Sequence, residues 1–353
     1  MGLPSINIIF KTKGVTAIQR SARGIVALII KDDTEGGSPL EVFKSVADID
    51  FTKYTKRNYE YLKLIYEGAP SKVIVIRLAT SATDYNAALR QLKNLRWNYL
   101  TIPSIDSENL TIVSAWIKEQ RSAQKTFKAV LPKCVADHEG IINFTTDTIE
   151  STLSETAFTT AEYCARIAGI LAGLPLSRSS TYYVFPDIVS AAVPEDPNER
   201  IDNGELIIVY DSENYKIGRG VNSLTTFTTE HGQEFSKIKI MEGVDLYNDD
   251  IRSTFEDSYI GKYRNDYDNK QAFVAAVNAY NKALEGDVLD KTYDNKTTID
   301  VEAQRQYLES KGIDTSEMDD VAVAKVNTGA RVFVAGNIKF VDAMEDLDMV
   351  NHM

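Results

Sequence analysis

The chain of 353 residues carries 43% hydrophobic and 25% charged side chains, ordinary for a soluble globular protein long enough for two or three domains. With 39 basic against 51 acidic residues the net charge is −12, which excludes a generic nucleic-acid binder that needs a basic surface. The longest apolar run near the start, Ile25–Ile30, is far short of the roughly 20 residues that span a bilayer. No secretory or lipidation motif is read, so no membrane partner is expected.

The first element is a strand-like arm in which Ile6, Ile8 and Phe10 share one face. A basic stretch, Arg20-Ser21-Ala22-Arg23-Gly24, separates it from a buried strand at Ile25–Ile30. A helix follows over Lys56–Glu67, with Gly68 just past its end, then a β-branched strand at Lys72–Leu78. Thr83 is read as the cap of the next helix. Trp97–Ile102 is strand-like, Ser107 opens a helix, and Thr126–Leu131 is again a strand. A helix over Thr160–Ala172 stops at Gly173-Leu174-Pro175, and Glu205–Tyr210 reads as one buried strand. This alternation predicts an α/β layer with a largely parallel sheet.

Beyond Lys237 tyrosines, asparagines and charges become dense. One amphipathic helix spans Asn269–Leu284, with Phe273, Val277, Tyr280 and Leu284 on its apolar face, and a second spans Val301–Lys311. After the turn Asn327-Thr328-Gly329 come two β-type runs, Arg331–Ala335 and Asn337–Val341. The acidic tail Asp342–Met353 closes the chain as a further strand with Leu347 and Met349 as its apolar face. Two strand-like ends predict a subunit completed by its neighbours, because an exposed strand edge is a liability unless it is meant to be paired.

Tests for chemistry fail in turn. Gly261-Lys262 lacks the glycine and the hydroxyl of a phosphate loop, since Glu256 and Tyr263 stand in those places. Gly218-Arg219-Gly220-Val221-Asn222-Ser223 matches only the first half of a dinucleotide fingerprint. Three histidines exist, His138, His231 and His352; His138 lies close in sequence to Cys134, but no oxyanion turn accompanies the pair. Cys134 and Cys164 read as reduced thiols without metal spacing. Asp245, Asp249 and Asp250 do not follow a calcium-loop pattern and read as a solvated loop or the cap of a short helix near Ile251. No catalytic, cofactor-binding or metal-binding residue is therefore assigned. An α/β hydrolase-like enzyme using His138 or His231 is the alternative reading, and a monomeric binding module built on the tyrosine-rich stretch Tyr259–Tyr267 is a third.

Larger blocks carry a resemblance. Gly220–Leu224, Lys237–Asp245, Asp249–Ile251, Tyr259–Asn265 and Asn337–Leu347 together resemble the sheath proteins of contractile phage tails. Gly2–Asn7, Arg20–Ile25, Ala168-Gly169 and Ala172–Ser177 extend the likeness over most of the chain, toward the compact sheaths of Gram-positive myophages, defective prophages and phage-tail-like bacteriocins.

That resemblance implies a mixed fold, α/β and α+β. Residues 1–20 form an N-terminal linking arm, 21–80 an α/β segment and 81–236 a subtilisin-like α/β domain. Residues 237–341 form a tube-proximal α+β domain and 342–353 a linking strand. It implies a virion or tail-particle protein made in the bacterial host cytoplasm, without cofactor or nucleic-acid partner. Its partners would be sheath neighbours, an inner tail tube, and baseplate and terminator proteins. Stacked hexameric rings would be joined by strand exchange through Ile6, Ile8, Phe10, Leu347 and Met349, with hinges near Lys11–Gly14 and Asn327–Gly329. Lys262, Arg264 and Lys270 are expected as basic contacts on the tube-facing side.

Overall fold

The computed structural model describes residues 17–353, so Ile6, Ile8, Phe10 and the Lys11–Gly14 hinge lie outside the described residues. The described residues divide into two compact units, one of residues 21–248 with 340–353, the other of residues 249–339 with 17–20.

In the larger unit the first strand, β1 (Ile25–Lys31), has no polar residue before its last position, a run that demands burial on both faces. It sits between β3 (Lys72–Leu78) and β4 (Tyr99–Thr101), parallel to both. The edge strand β2 (Leu40–Phe43) runs antiparallel to β3, and α1 (Lys56–Tyr66) links the two. Helices α2 (Asn86–Leu92) and α3 (Ser107–Ser122) flank β4, and β5 (Lys128–Pro132) and β6 (Ile141–Phe144) extend the sheet in parallel. With the later β10 the order is β10-β6-β5-β4-β1-β3-β2, seven strands of which only β2 is antiparallel. Residues 21–80 and 81–236 thus contribute strands to one sheet.

Side chains of β1 alternate between two apolar layers. Val26, Leu28 and Ile30 pack with Leu62 and Ile65 of α1 and with Ile167 and Leu171 of α4 (Thr160–Gly173). Ile25, Ala27 and Ile29 pack with Leu92 of α2 and with Val113 and Ile117 of α3. Helix α4 starts on a capping box between Thr159 and Glu162. It passes so close to α1 that a methyl group at Gly169 would lie 2.1 Å from the Ile65 carbonyl oxygen. The rest of the unit is smaller: β7 (Asp147–Ser151) pairs with β9 (Ile188–Ala192), and β8 (Val184–Phe185), β11 (Ile208–Tyr210) and β12 (Tyr215–Ile217) form a three-stranded antiparallel sheet. Between them lie α5 (Pro197–Asp202) and β10 (Glu205–Leu206).

Three expectations change. Helix α2 starts at Asn86 without a side-chain cap, and the Thr83 carbonyl instead accepts a hydrogen bond from Asn109. Glu205–Tyr210 is two strands in two sheets, β10 and β11, with the Ile208 N–H satisfied by the Thr146 hydroxyl at 2.8 Å. The stretch from Lys237 holds a 17-residue helix, α6 (Ile238–Thr254), through which the division between the units falls. Asp245 and Asp250 are buried on it rather than lying in a solvated loop.

In the smaller unit a π-turn at Phe255–Tyr259 follows α6 and leads to α7 (Tyr267–Leu284), capped by Asp266. Phe273, Val277, Tyr280 and Leu284 are buried, as their spacing requires. Phe255, Tyr259, Phe273 and Val277 form one cluster with Ile18. Then come β13 (Lys296–Ile299), α8 (Val301–Ser310), α9 (Asp320–Lys325) and β14 (Val334–Asn337). The two β-type runs read after Gly329 reduce to β14 alone, which pairs antiparallel with β13.

Candidate interaction surfaces

The two-stranded sheet β13–β14 has unequal edges. Register pairs Thr297 with Gly336 and Ile299 with Val334, and the Asp300 N–H donates to the Phe333 carbonyl at 3.0 Å. That bond fixes the alternation: Phe333, Ala335 and Asn337 face β13, while Val334 and Gly336 turn their N–H and C=O groups outward. On the far side, Asn278 of α7 serves the outward groups of Thr297, its Oδ1 accepting from the Thr297 N–H at 2.7 Å and its Nδ2 donating to the carbonyl at 2.8 Å. The β13 edge is thereby closed at its centre, and the β14 edge, exposed along its whole length, stays open among the described residues.

The expected basic contacts separate. Lys262 is exposed and its ammonium donates to the Asp257 carbonyl; Arg264 has 91% of its side chain exposed beside Asp266. Lys270 is a correction. It is only 3% exposed, its Nζ donates to Gln304 Oε1 at 3.0 Å, and burial pulls its ammonium below the ordinary lysine range. It is the fourth residue of α7, four positions after the Asp266 cap, and bonded to Gln304 of α8, so it is not a surface cation. Lys270 and Arg264 border a groove of about 470 Å³ whose walls include Phe255, Tyr259, Tyr263 and Phe273. The turn expected as a hinge, Asn327–Gly329, is tied down: Asn265 Nδ2 lies 3.0 Å from the Thr328 hydroxyl and 2.7 Å from the Gly329 carbonyl.

The tail Asp342–Met353 has no regular structure and lies on the larger unit. Leu347 and Met349 are 86% and 70% exposed, so neither joins a strand of its own chain.

His138 and His231 line one cleft of about 590 Å³ in the larger unit. His138 Nδ1 accepts from the Gly140 N–H at 3.0 Å, and burial lowers its tendency to protonate. The Ser223 hydroxyl donates to the His138 backbone carbonyl at 2.9 Å, not to the imidazole. Burial raises the Cys134 and Cys164 thiols, the opposite of an activated nucleophile. Among the described residues no group of three His, Cys, Asp or Glu side chains could hold a metal ion. No described helix is long and apolar enough to cross a membrane.

Comparison with known proteins decides the family. Residues 79–223 match the phage tail sheath protein central domain and residues 230–353 the phage tail sheath C-terminal domain. The tail sheath protein of Clostridium phage phiCD119 is 36% identical over 99% of this chain and 98% of its own length. The chain belongs to the phage tail sheath family. It is a contractile tail sheath protein, a structural component of a phage or tail-like particle. Its fold is similar to the sheath tail protein of Desulfitobacterium hafniense, with TM-score 0.69 and 18% identity over 84% of this chain and 94% of that one. It is also similar to the helical sheath of the anti-feeding prophage in its contracted state, with TM-score 0.73 and 11% identity over 100% of this chain and 99% of that one. Sequence reading missed the sheath protein's closed β13 edge, because Asn278 looks like any polar residue on an amphipathic helix.

Proposed function

We propose that this sheath protein polymerises as stacked hexameric rings around an inner tail tube and contracts to drive the tube through a target cell envelope. The open edge of β14 carries this reading. A two-stranded sheet is marginal alone, and an edge with unpaired outward N–H and C=O groups is a template for another strand. An arm from a neighbouring subunit supplies that strand, each backbone bond adding roughly 0.5–1.5 kcal/mol. Ile6, Ile8 and Phe10 of one arm, and Leu347 and Met349 of the other, are the side chains such added strands would bury.

The larger unit acts as a subtilisin-like body in topology only, without catalytic activity. Lys262 and Arg264 contact the tube through weak exposed pairs that release on contraction. Baseplate and terminator proteins bound the polymer, which is made in the host cytoplasm and functions in the tail particle. The test is deletion of Met1–Lys13 or of Asp342–Met353. Each variant should remain folded yet give no sheath by electron microscopy when supplied with tube and baseplate; ordinary sheaths from either would refute arm linkage.

A further inference from the structure

In the exposed tail, the one side chain that is buried is charged. The side chain of Glu345 is 6% exposed, whereas Met344, Leu347 and Val350 face solvent. A carboxylate enters a protein surface only where donors replace its water. Thr181 donates to Glu345 Oε1 at 2.6 Å and Ser179 donates to the same oxygen at 3.0 Å. Oε2 faces Lys237 Nζ at 3.5 Å and Arg219 Nε at 3.8 Å. The Gly220 N–H donates to the Thr181 hydroxyl at 2.9 Å and so orients it toward the carboxylate.

The flanks repeat the pattern. Lys237 also pairs with Asp342, Arg219 also pairs with Asp346, and Lys239 donates to the Val341 carbonyl at 3.0 Å. Each of the first two cations therefore serves two carboxylates of one short segment. The backbone passes close beside them: a methyl group on Gly220 would lie 2.4 Å from the Ser180 hydroxyl, which would have to turn away. The half-matched Gly-Arg-Gly fingerprint thus forms part of the wall of a carboxylate seat.

We propose that Ser179, Thr181, Arg219 and Lys237 clasp Glu345 of their own chain, making Asp342–Asp346 a fixed post from which only residues 347–353 leave as the C-terminal link. This rests on the sheath reading for its purpose, but not for its existence. Residues 347–353 span roughly 23 Å when extended, and opening the clasp would add roughly 16 Å of slack from 342–346.

The experiment uses the full-length protein as unassembled subunits and a glutamate-specific endoprotease, following cleavage after Glu345 by mass spectrometry. In the wild type that bond should be cut slowly relative to the bond after Glu155, which is exposed. Thr181→Val and Arg219→Ala should each speed cleavage after Glu345 by about tenfold or more, while the Glu155 rate is unchanged. Arg219 is a partly exposed surface residue, so it tests the clasp even if the Thr181 variant misfolds. Wild-type cleavage after Glu345 as fast as after Glu155, or seat variants with no effect, would overturn the proposal. Because no sheath is formed in this assay, failure of arm linkage in the truncation experiment leaves its outcome independent.

Discussion

Asn278 and Thr297 are joined by two hydrogen bonds, the side-chain amide of one taking both the N–H and the C=O of the other at 2.7 and 2.8 Å. The amide stands where the backbone of a third strand would. Asn278→Ala leaves two peptide groups of a largely buried residue without partners, at a cost of about 1–3 kcal/mol. The melting temperature of the purified chain should fall by several degrees, read by circular dichroism or calorimetry. An unchanged melting temperature would mean that water or another strand already serves this edge.

The open edge predicts a different variant. Val334 points its N–H away from β13, so proline there removes one outward donor and none of the bonds that hold β14. Val334→Pro should fold with near wild-type stability and fail to build sheath on tubes. Normal sheaths from this variant would show that added strands pair elsewhere.

A buried ionic cluster governs acid stability. Lys128, 1% exposed, lies 3.0 Å from Glu242 and 2.5 Å from Asp245, and Glu242 also takes bonds from Tyr99 and Arg23. Burial alone would raise the Glu242 carboxyl, but Lys128, Arg23 and Tyr99 hold it at about 2 against an ordinary 4.5. The folded value is depressed, so its stabilising contribution is present above about pH 4.5 and lost as the pH falls toward 2. Glu242→Gln should cost about 3–5 kcal/mol at neutral pH in urea unfolding, and the gap to wild type should narrow on acidification below about pH 4.5. A gap independent of pH would remove Glu242 from the acid response.

The basic residues of the smaller unit should divide by burial. Charge reversal at Lys262 and Arg264 should leave the melting temperature of the subunit unchanged and impair assembly on tubes at physiological salt. Lys270→Met should do the reverse: it strands Gln304 Oε1, lowers stability, and leaves tube binding by the folded fraction intact. Co-sedimentation with tubes, beside a melting curve for each variant, separates the two roles.

Much of the fold was legible where a single period dominates. The runs Ile25–Ile30 of β1 and Val73–Ile76 of β3 have no polar interruption, and α7 repeats apolar residues at helical spacing, so type and position both followed. Helix α6 was not legible because Lys237-Ile238-Lys239-Ile240 alternates like a strand and Gly243 interrupts the helical pattern; its buried acidic face makes sense only beside Lys128 and Arg121. Lys270 was misread because charge predicts exposure for most lysines, while this one meets an uncharged amide in the fold. The tail's apolar residues were found from sequence, but the carboxylate that anchors them was not, since its partners lie more than 100 positions away.

One closed edge has a further consequence, for misassembly. Two bodies that met β14 to β14 would each spend the only open edge that the described residues leave in this sheet. The contact would be isologous and finished at two copies. Were β13 also free, the same contact could repeat without limit and lay the sheets into a fibre. A single asparagine side chain on α7 thus confines the worst error of this sheet to a dimer.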